Sequence, residues 1–264
     1  MIDFEQKPSY DVSDLVEIVR ILRAPGGCPW DREQDHKSIR RDLLEEAYEV
    51  AEAIDEESPE HLKEELGDLL LQVVMHARME EEEGRTGLTG VADGICKKLI
   101  YRHPHVFGDV TVTGTGQVLA NWDELKKKEK HQDTAADSVD AVARSLPGLW
   151  RAEKIQKKAA KVGFDWDSVD GAMDKLREET EELQTAIREG SNVSEELGDL
   201  LFAAVNVARF VKVDPETAMT AACDKFARRF RAVEEAARAQ GKDLSSMTLA
   251  EMDALWDAVK QQEA

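Results

Sequence analysis

Nowhere in these 264 residues do apolar side chains run together for the about 18 positions that a membrane-crossing helix needs, so no helical span is expected. The opening MIDFEQKPSYD has no basic n-region and no apolar h-region, and no secretory signal is expected either. Only three cysteines occur, Cys28, Cys96 and Cys223, far apart and without C-x-x-C spacing. That pattern excludes a disulfide frame and a zinc site, and reads as reduced thiols in a cytoplasmic protein. Glycine-rich loops of the Walker or dinucleotide type are missing. No serine or cysteine has the nucleophile-elbow or Cys–His setting of covalent catalysis. Basic residues are few: 35 Lys and Arg stand against 55 Asp and Glu, a net charge of −20. Duplex nucleic acid wants a basic face and is excluded as a partner. A small phosphorylated substrate would be repelled too, unless something local reverses the sign.

What the chain has in quantity is helical periodicity. Leu43, Ala47, Val50, Ala51 and Ile54 form one apolar stripe, and Leu66, Leu69, Leu70, Val73, Val74 and Ala77 another. Leu197, Leu200, Leu201, Ala204, Val205 and Ala208 repeat the second stripe. Strand-like alternation is confined to DVTVTG at 109–114, which is expected as a loop. The fold class is therefore all-α. Ser58-Pro59-Glu60 and Gly190-Ser191-Asn192 each stop one helix and start the next. The stretch HQDTAADSVDAVARSL before Pro147-Gly148 is polar and alanine-rich, as a linker would be. The expected organisation is an N-terminal helical domain at 1–130, a linker at 131–147 and a C-terminal helical domain at 148–264.

The two halves repeat one another. LEEAYE followed by EELGDLL occupies residues 44–70, and REETEE followed by EELGDLL occupies 177–201. Glu46 and Glu49 are three residues apart, as are Glu65 and Asp68; so are Glu179 and Glu182, and Glu196 and Asp199. Residues three apart share a helix face, so each copy aims four carboxylates from two neighbouring helices at one place. Mutual repulsion forbids that arrangement unless a cation sits there. Oxygen donors without His or Cys suit Mg²⁺, with Mn²⁺ as a substitute, and not zinc. A di-iron carboxylate bundle requires Glu-x-x-His on two helices, and here the fourth position is Glu or Asp in both copies. Gly67 and Gly198 stand inside these helices at a cost of about 1 kcal/mol against alanine, which suggests close approach by a backbone or a ligand.

Around the carboxylates further positions correspond. Lys98 and Arg102 match Lys225 and Arg229, one helical turn apart in each half, and both pairs are candidates to hold a phosphate chain. Trp122 matches Trp256; either could stack on a base or simply anchor a helix end by packing. Lys175 lies one turn before Glu179, beside the carboxylate cluster, where the first copy has Asp42. In His103-Pro104-His105 the proline ends a helix, and the histidines are expected to cap or pack.

Taken together, EExxE followed by ExxD, twice in one chain, resembles the MazG family of nucleoside triphosphate pyrophosphohydrolases. CPWDREQ at 28–34, RHPHVFGDV at 102–110, KIQKKAAKVGFDW at 154–166 and LWDAVK at 255–260 resemble segments of that family as well. The resemblance covers nearly the whole chain. It implies tandem all-α domains whose helices pair across a homodimer, or a higher homo-oligomer, into four-helix bundles. It also implies Mg²⁺-dependent hydrolysis of nucleoside triphosphates to monophosphate and pyrophosphate, in the service of nucleotide-pool cleaning or regulation. Carried over by position, the metal ligands would be Glu179, Glu182, Glu196 and Asp199. Nucleotide contacts would come from Lys175, the stretch Asn192 to Glu195, Lys225 to Arg229, and Trp256. The corresponding set in the first half is Glu46, Glu49, Glu65 and Asp68 with Lys98, Arg102 and Trp122.

On this reading a water attacks in line at the α-phosphorus, relayed by a spare acid such as Glu178 or Glu195, and Lys225 and Arg229 stabilise the departing end. Both quartets are complete, but Lys175 balances the second phosphate pocket where Asp42 does not balance the first. The C-terminal site is therefore expected to be the main one. The alternative is a non-catalytic nucleotide- or metal-binding regulatory scaffold, against which two intact quartets argue.

Overall fold

The computed structural model describes residues 4–129 and 132–263. No β-strand occurs among them, and 109–114 is irregular. Two compact units form, at 1–126 and 127–264. The expected domain boundary at Lys130 and His131 lies outside the described residues.

The first unit contains α1 (Val12–Arg23), α2 (Pro29–Glu33), α3 (Arg40–Asp55), α4 (Pro59–Glu82), α5 (Leu88–Arg102) and α6 (Pro104–Phe107). Helix α7 (Thr115–Glu129) runs across the division. The second unit contains α8 (Ala135–Asp140), α9 (Gly148–Ala160), α10 (Val169–Glu189), α11 (Val193–Phe210) and α12 (Pro215–Ala239). A 3₁₀ turn (Leu244–Ser246) and α13 (Leu249–Gln262) close it. The stretch expected as a linker thus carries α8, which packs against α9.

Local chemistry sets these ends. The Ser58 hydroxyl accepts from the His61 backbone N–H and Pro59 takes the first helical position, so α4 starts where the polar break stands. Gly190 ends α10 in the left-handed region at φ 68°, a conformation that glycine adopts without steric cost. At α13, Thr248 and Glu251 form a reciprocal capping box.

In each unit the dominant packing is one antiparallel-type helix pair joined by a short turn, α3 with α4 and α10 with α11. A flanking helix supports each second member: α1 lies on α4, and α9 on α11. Val19, Ile39, Val74, Met75 and Met79 form the buried centre of the first unit, with Leu15, Val16, Leu70 and Leu71 packed around it. Small residues bring α10 and α11 together, since Ala172, Ala186, Ala203 and Val205 are all buried. Several apolar stripes stay exposed on the single chain: Val91, Ile95 and Leu99 on α5, Leu197 and Leu201 on α11, and Phe226 and Phe230 on α12.

Candidate active site

Each helix pair brings acids together as the spacing requires. In the first unit, carboxylate oxygens of Glu46, Glu49 and Glu65 lie within 4.8 Å of one another. Burial, and then crowding by Asp68, Glu49 and Glu65, pushes the Glu46 carboxyl above its ordinary value. In the second unit, oxygens of Glu179, Glu196 and Asp199 lie within 4.8 Å of one another. The fourth acid, Glu182, is raised by burial and by its neighbour Glu179. All eight predicted acids therefore stand in or against the two clusters. Every donor is a carboxylate oxygen, and like charges pressed this close fit a hard divalent cation.

The clusters differ in what touches them. The Lys175 Nζ donates to Glu178 at 2.8 Å and to Glu179 at 2.7 Å, and these two acids hold its pKa above the usual lysine value. Glu179 itself is 6% exposed, so its charge faces little water other than through Lys175 and the neighbouring acids. In the first unit the partner is a histidine that spacing did not single out. The His61 Nε2 lies 3.1 Å from Glu65, and its Nδ1 lies 2.8 Å from Glu56.

The predicted glycine approach does not materialise within the chain. A Cβ at Gly67 or Gly198 would meet nothing within 4 Å. Helix α11 begins at Asn192, in the left-handed region at φ 53° and with no side-chain cap hydrogen bond. The Glu195 and Glu196 N–H groups bond the Asn192 carbonyl at 2.9 and 3.1 Å, which leaves those of Val193 and Ser194 to water or a ligand. Glu195 is exposed in that first turn.

The remaining basic and aromatic candidates form their own constellation. In the first unit the buried Arg102 guanidinium lies 5.0 Å from the Trp122 ring centroid. In the second, Arg229 lies 6.0 Å from Trp256, whose ring packs 5.2 Å from Phe226. Arg229 also donates to Glu263 at 2.6 Å. The Arg–Trp pairing is thus repeated in both halves. Lys98 and Lys225 are exposed on α5 and α12. Among the described residues, no hydrogen bond or ion pair joins Lys225, Arg229 or Trp256 to the Glu179 cluster.

Two concavities meet the second cluster. One, of about 480 Å³, is polar and lined by Glu178, Glu182, Asn192 and Glu196 among others. The other, of about 500 Å³, places Lys175, Glu179 and Asp199 on the same wall system as Phe164, Trp166 and Phe202. Gln156, Asn206 and Arg209 complete it. Sequence reasoning missed these last residues. The signal for Asn206 was present, since it follows Asp199 and Ala203 on one helix face at i, i+4 and i+7.

Arg209 braces this wall. It makes a two-pronged contact with Asp165, Nη1 to Oδ2 at 2.9 Å and Nη2 to Oδ1, and also donates to the Asn206 Oδ1. The contact with Arg209 holds the Asp165 carboxyl below its ordinary value of 3.8. A depressed carboxyl contributes stability above its unfolded value and loses it as pH falls through the folded one. Asp165→Asn is expected to cost about 1 kcal/mol at pH 7. That difference from wild type should shrink below pH 3.8, as read by urea melts of both proteins across the acid range. An unchanged difference down to pH 2 would remove the charge–charge origin.

Superposing the two EELGDLL segments puts Asn206 opposite Met75 and Phe202 opposite Leu71. Met75 is 5% exposed, inside the first unit's apolar centre. Where the second copy lines a cavity with an amide, the first fills its core with a thioether.

Comparison with known proteins bears on both units. The family model described as the MazG nucleotide pyrophosphohydrolase domain matches residues 34–107 and again 168–233. The chain is 43% identical over 257 residues to a nucleoside triphosphate pyrophosphohydrolase of Escherichia coli K12, covering 96% of this chain and 98% of that protein. It is 41% identical over 247 residues to the nucleoside triphosphate pyrophosphohydrolase/pyrophosphatase MazG of Thermotoga maritima, covering 94% of each. It is 48% identical over 263 residues to the uncharacterized protein YabN of Bacillus subtilis, covering 98% of this chain and 54% of that protein.

Proposed function

We propose, for a chain that belongs to the MazG nucleotide pyrophosphohydrolase family, that the α10–α11 pair of its second unit is the principal working site. The enzyme hydrolyses nucleoside triphosphates to nucleoside monophosphate and pyrophosphate. The convergence of Glu179, Glu196 and Asp199 beside Lys175, between a polar groove and a partly apolar cavity, carries this assignment of the site.

Glu179, Glu182, Glu196 and Asp199 would hold Mg²⁺, or Mn²⁺ in its place. Once bound, the ion supplies Lewis-acid polarisation and neutralises the charge that the triphosphate brings to an acidic surface. Lys175 adds a fixed positive charge beside that position, held there by Glu178. Within the stretch Asn192 to Glu195, the Val193 and Ser194 N–H groups at the start of α11 would donate to phosphate oxygens. Glu178 is engaged by Lys175, whereas Glu195 forms no ion pair among the described residues, so Glu195 is the acid that would accept the water proton. The water oxygen bonds to the α-phosphorus and the α–β bridging oxygen leaves with pyrophosphate. Lys225 and Arg229 would meet the departing phosphates, and Trp256 would flank them.

A homodimer is part of this reading. The exposed stripes on α5, α11 and α12 are apolar at helical spacing, as faces that a second copy covers would be. Three free thiols suit a cytoplasmic setting.

Hydrolysis in oxygen-18 water tests the point of attack. The label is expected in the monophosphate, read by mass spectrometry. Label in pyrophosphate would move the attack to the β-phosphorus and with it the roles given to Lys225 and Arg229.

A further inference from the structure

We infer that the 500 Å³ cavity of the second unit receives the nucleobase, and that the side-chain amides of Gln156 and Asn206 read its Watson–Crick edge. The inference rests on the placing of the triphosphate at the Glu179 cluster. Glu179, Asp199 and Lys175 line the same cavity, so a nucleotide held there by its phosphates has its base within reach of the other walls.

The two amides are oriented by partners that leave no choice of flip. The Gln156 Nε2 donates to the Phe202 backbone carbonyl at 2.7 Å, and a carbonyl can only accept. Its Oε1 is therefore the free end. Gln156 is 7% exposed, and that Oε1 is buried with no hydrogen-bond partner. An unpaired buried acceptor is costly, and a lining position makes it an acceptor for a ligand. The Asn206 Oδ1 accepts from the Arg209 Nε at 3.1 Å and Nη2 at 2.8 Å, and a guanidinium can only donate. The Asn206 NH₂ is the group left for the cavity. Asp165 holds Arg209 in turn.

One donor and one acceptor are what a base edge answers. Adenine, guanine, cytosine and uracil each carry a donor beside an acceptor on that edge; guanine presents them in the opposite order to adenine and cytosine, so it meets the fixed pair with its ring turned over. Phe164 and Trp166 supply aromatic faces for stacking, which is tolerant of base identity. The first unit has Met75 in place of Asn206, buried in its core, and lacks this reader.

The test measures kcat/KM for ATP, GTP, CTP, UTP and the base-free ribose 5′-triphosphate by pyrophosphate release. With Asn206→Leu, all four nucleotides are expected to fall by about 10- to 100-fold, the range of an unpaired site group. The base-free compound should change less than about twofold. Asn206→Asp keeps the contact with Arg209 but turns the donor into an acceptor. Guanine alone offers two adjacent donors, N1–H and N2–H, so the GTP-to-ATP ratio should rise about tenfold or more. A misfolded variant cannot produce that gain. An equal fall on the base-free compound, or an unmoved GTP-to-ATP ratio in Asn206→Asp, overturns the inference. Glu179→Gln run on the base-free compound separates the two levels. If it stays active, the triphosphate site is misplaced; if it is inactive while selectivity ignores Asn206, only the base assignment fails.

Discussion

Glu179→Gln is expected to slow pyrophosphate release by two to four orders of magnitude, while Glu46→Gln leaves most of the activity. The substitution preserves shape and removes one negative charge from the cluster with Glu196 and Asp199. Losing a single preorganised electrostatic group typically costs about 10²- to 10³-fold, and a metal ligand belongs at or above the top of that range. The asymmetry comes from the neighbours, since both units bring three carboxylates within 4.8 Å. Glu179 has Lys175 against it at 2.7 Å, whereas Asp42 stands at the corresponding place in the first copy. The second cluster opens on a cavity that Asn206 lines, and the first has Met75 packed in its core. The two variants are assayed side by side with one nucleotide, and with circular dichroism to show that both fold. Near-normal release by Glu179→Gln together with loss in Glu46→Gln would reverse the assignment.

Chelation with EDTA is expected to take turnover to background and to lower the melting temperature of the folded protein. Acids this close repel one another, and burial, followed by these neighbours, raises the Glu46 and Glu182 carboxyls. A cation that binds the folded clusters and not the unfolded chain stabilises by mass action, about 2.7 kcal/mol at a hundredfold excess over its Kd. For a chain of this size that corresponds to a rise of several degrees. The chain divides into two compact units, so the melt is read for two transitions. Glu179→Gln should diminish the Mg²⁺-dependent shift of the second unit, and Glu46→Gln that of the first. Identical melting in EDTA and in excess Mg²⁺ would show that neither cluster takes the ion. This readout does not depend on turnover, so it separates metal binding from chemistry.

Much of this was legible along the chain. The Glu-x-x-Glu and Glu-x-x-Asp spacings predict converging carboxylates, and Glu46, Glu49 and Glu65 converge, as do Glu179, Glu196 and Asp199. Ser58-Pro59 and Gly190 mark helix ends that the structure places where they stand. Arg102 corresponds to Arg229 and Trp122 to Trp256, and in each unit the Arg lies over the Trp ring, 5.0 and 6.0 Å from its centroid. Other features were out of reach. His61 stands four residues before Glu65, so their shared face was readable, but the rotamer that puts its ring between Glu65 and Glu56 was not. The glycines at 67 and 198 suggested a close approach, yet the chain leaves open space beside both.

What the sequence by itself determined is therefore what repeats within a few helical turns: the all-α class, the duplication and the two acidic quartets. Helix geometry fixes which residues three and four apart share a face, so spacing alone carries that information. The sequence also set Lys175 against Asp42, but only tertiary structure decided which further groups surround the second cluster and how they are turned. The free oxygen of Gln156 exists because its amide nitrogen reaches Phe202, 46 residues away on another helix. The amide of Asn206 is turned by Arg209, and Arg209 is turned by Asp165, 44 residues distant. Contacts between helices set which end of each amide is spent inside the protein and which is left for a ligand, and local periodicity holds no record of them.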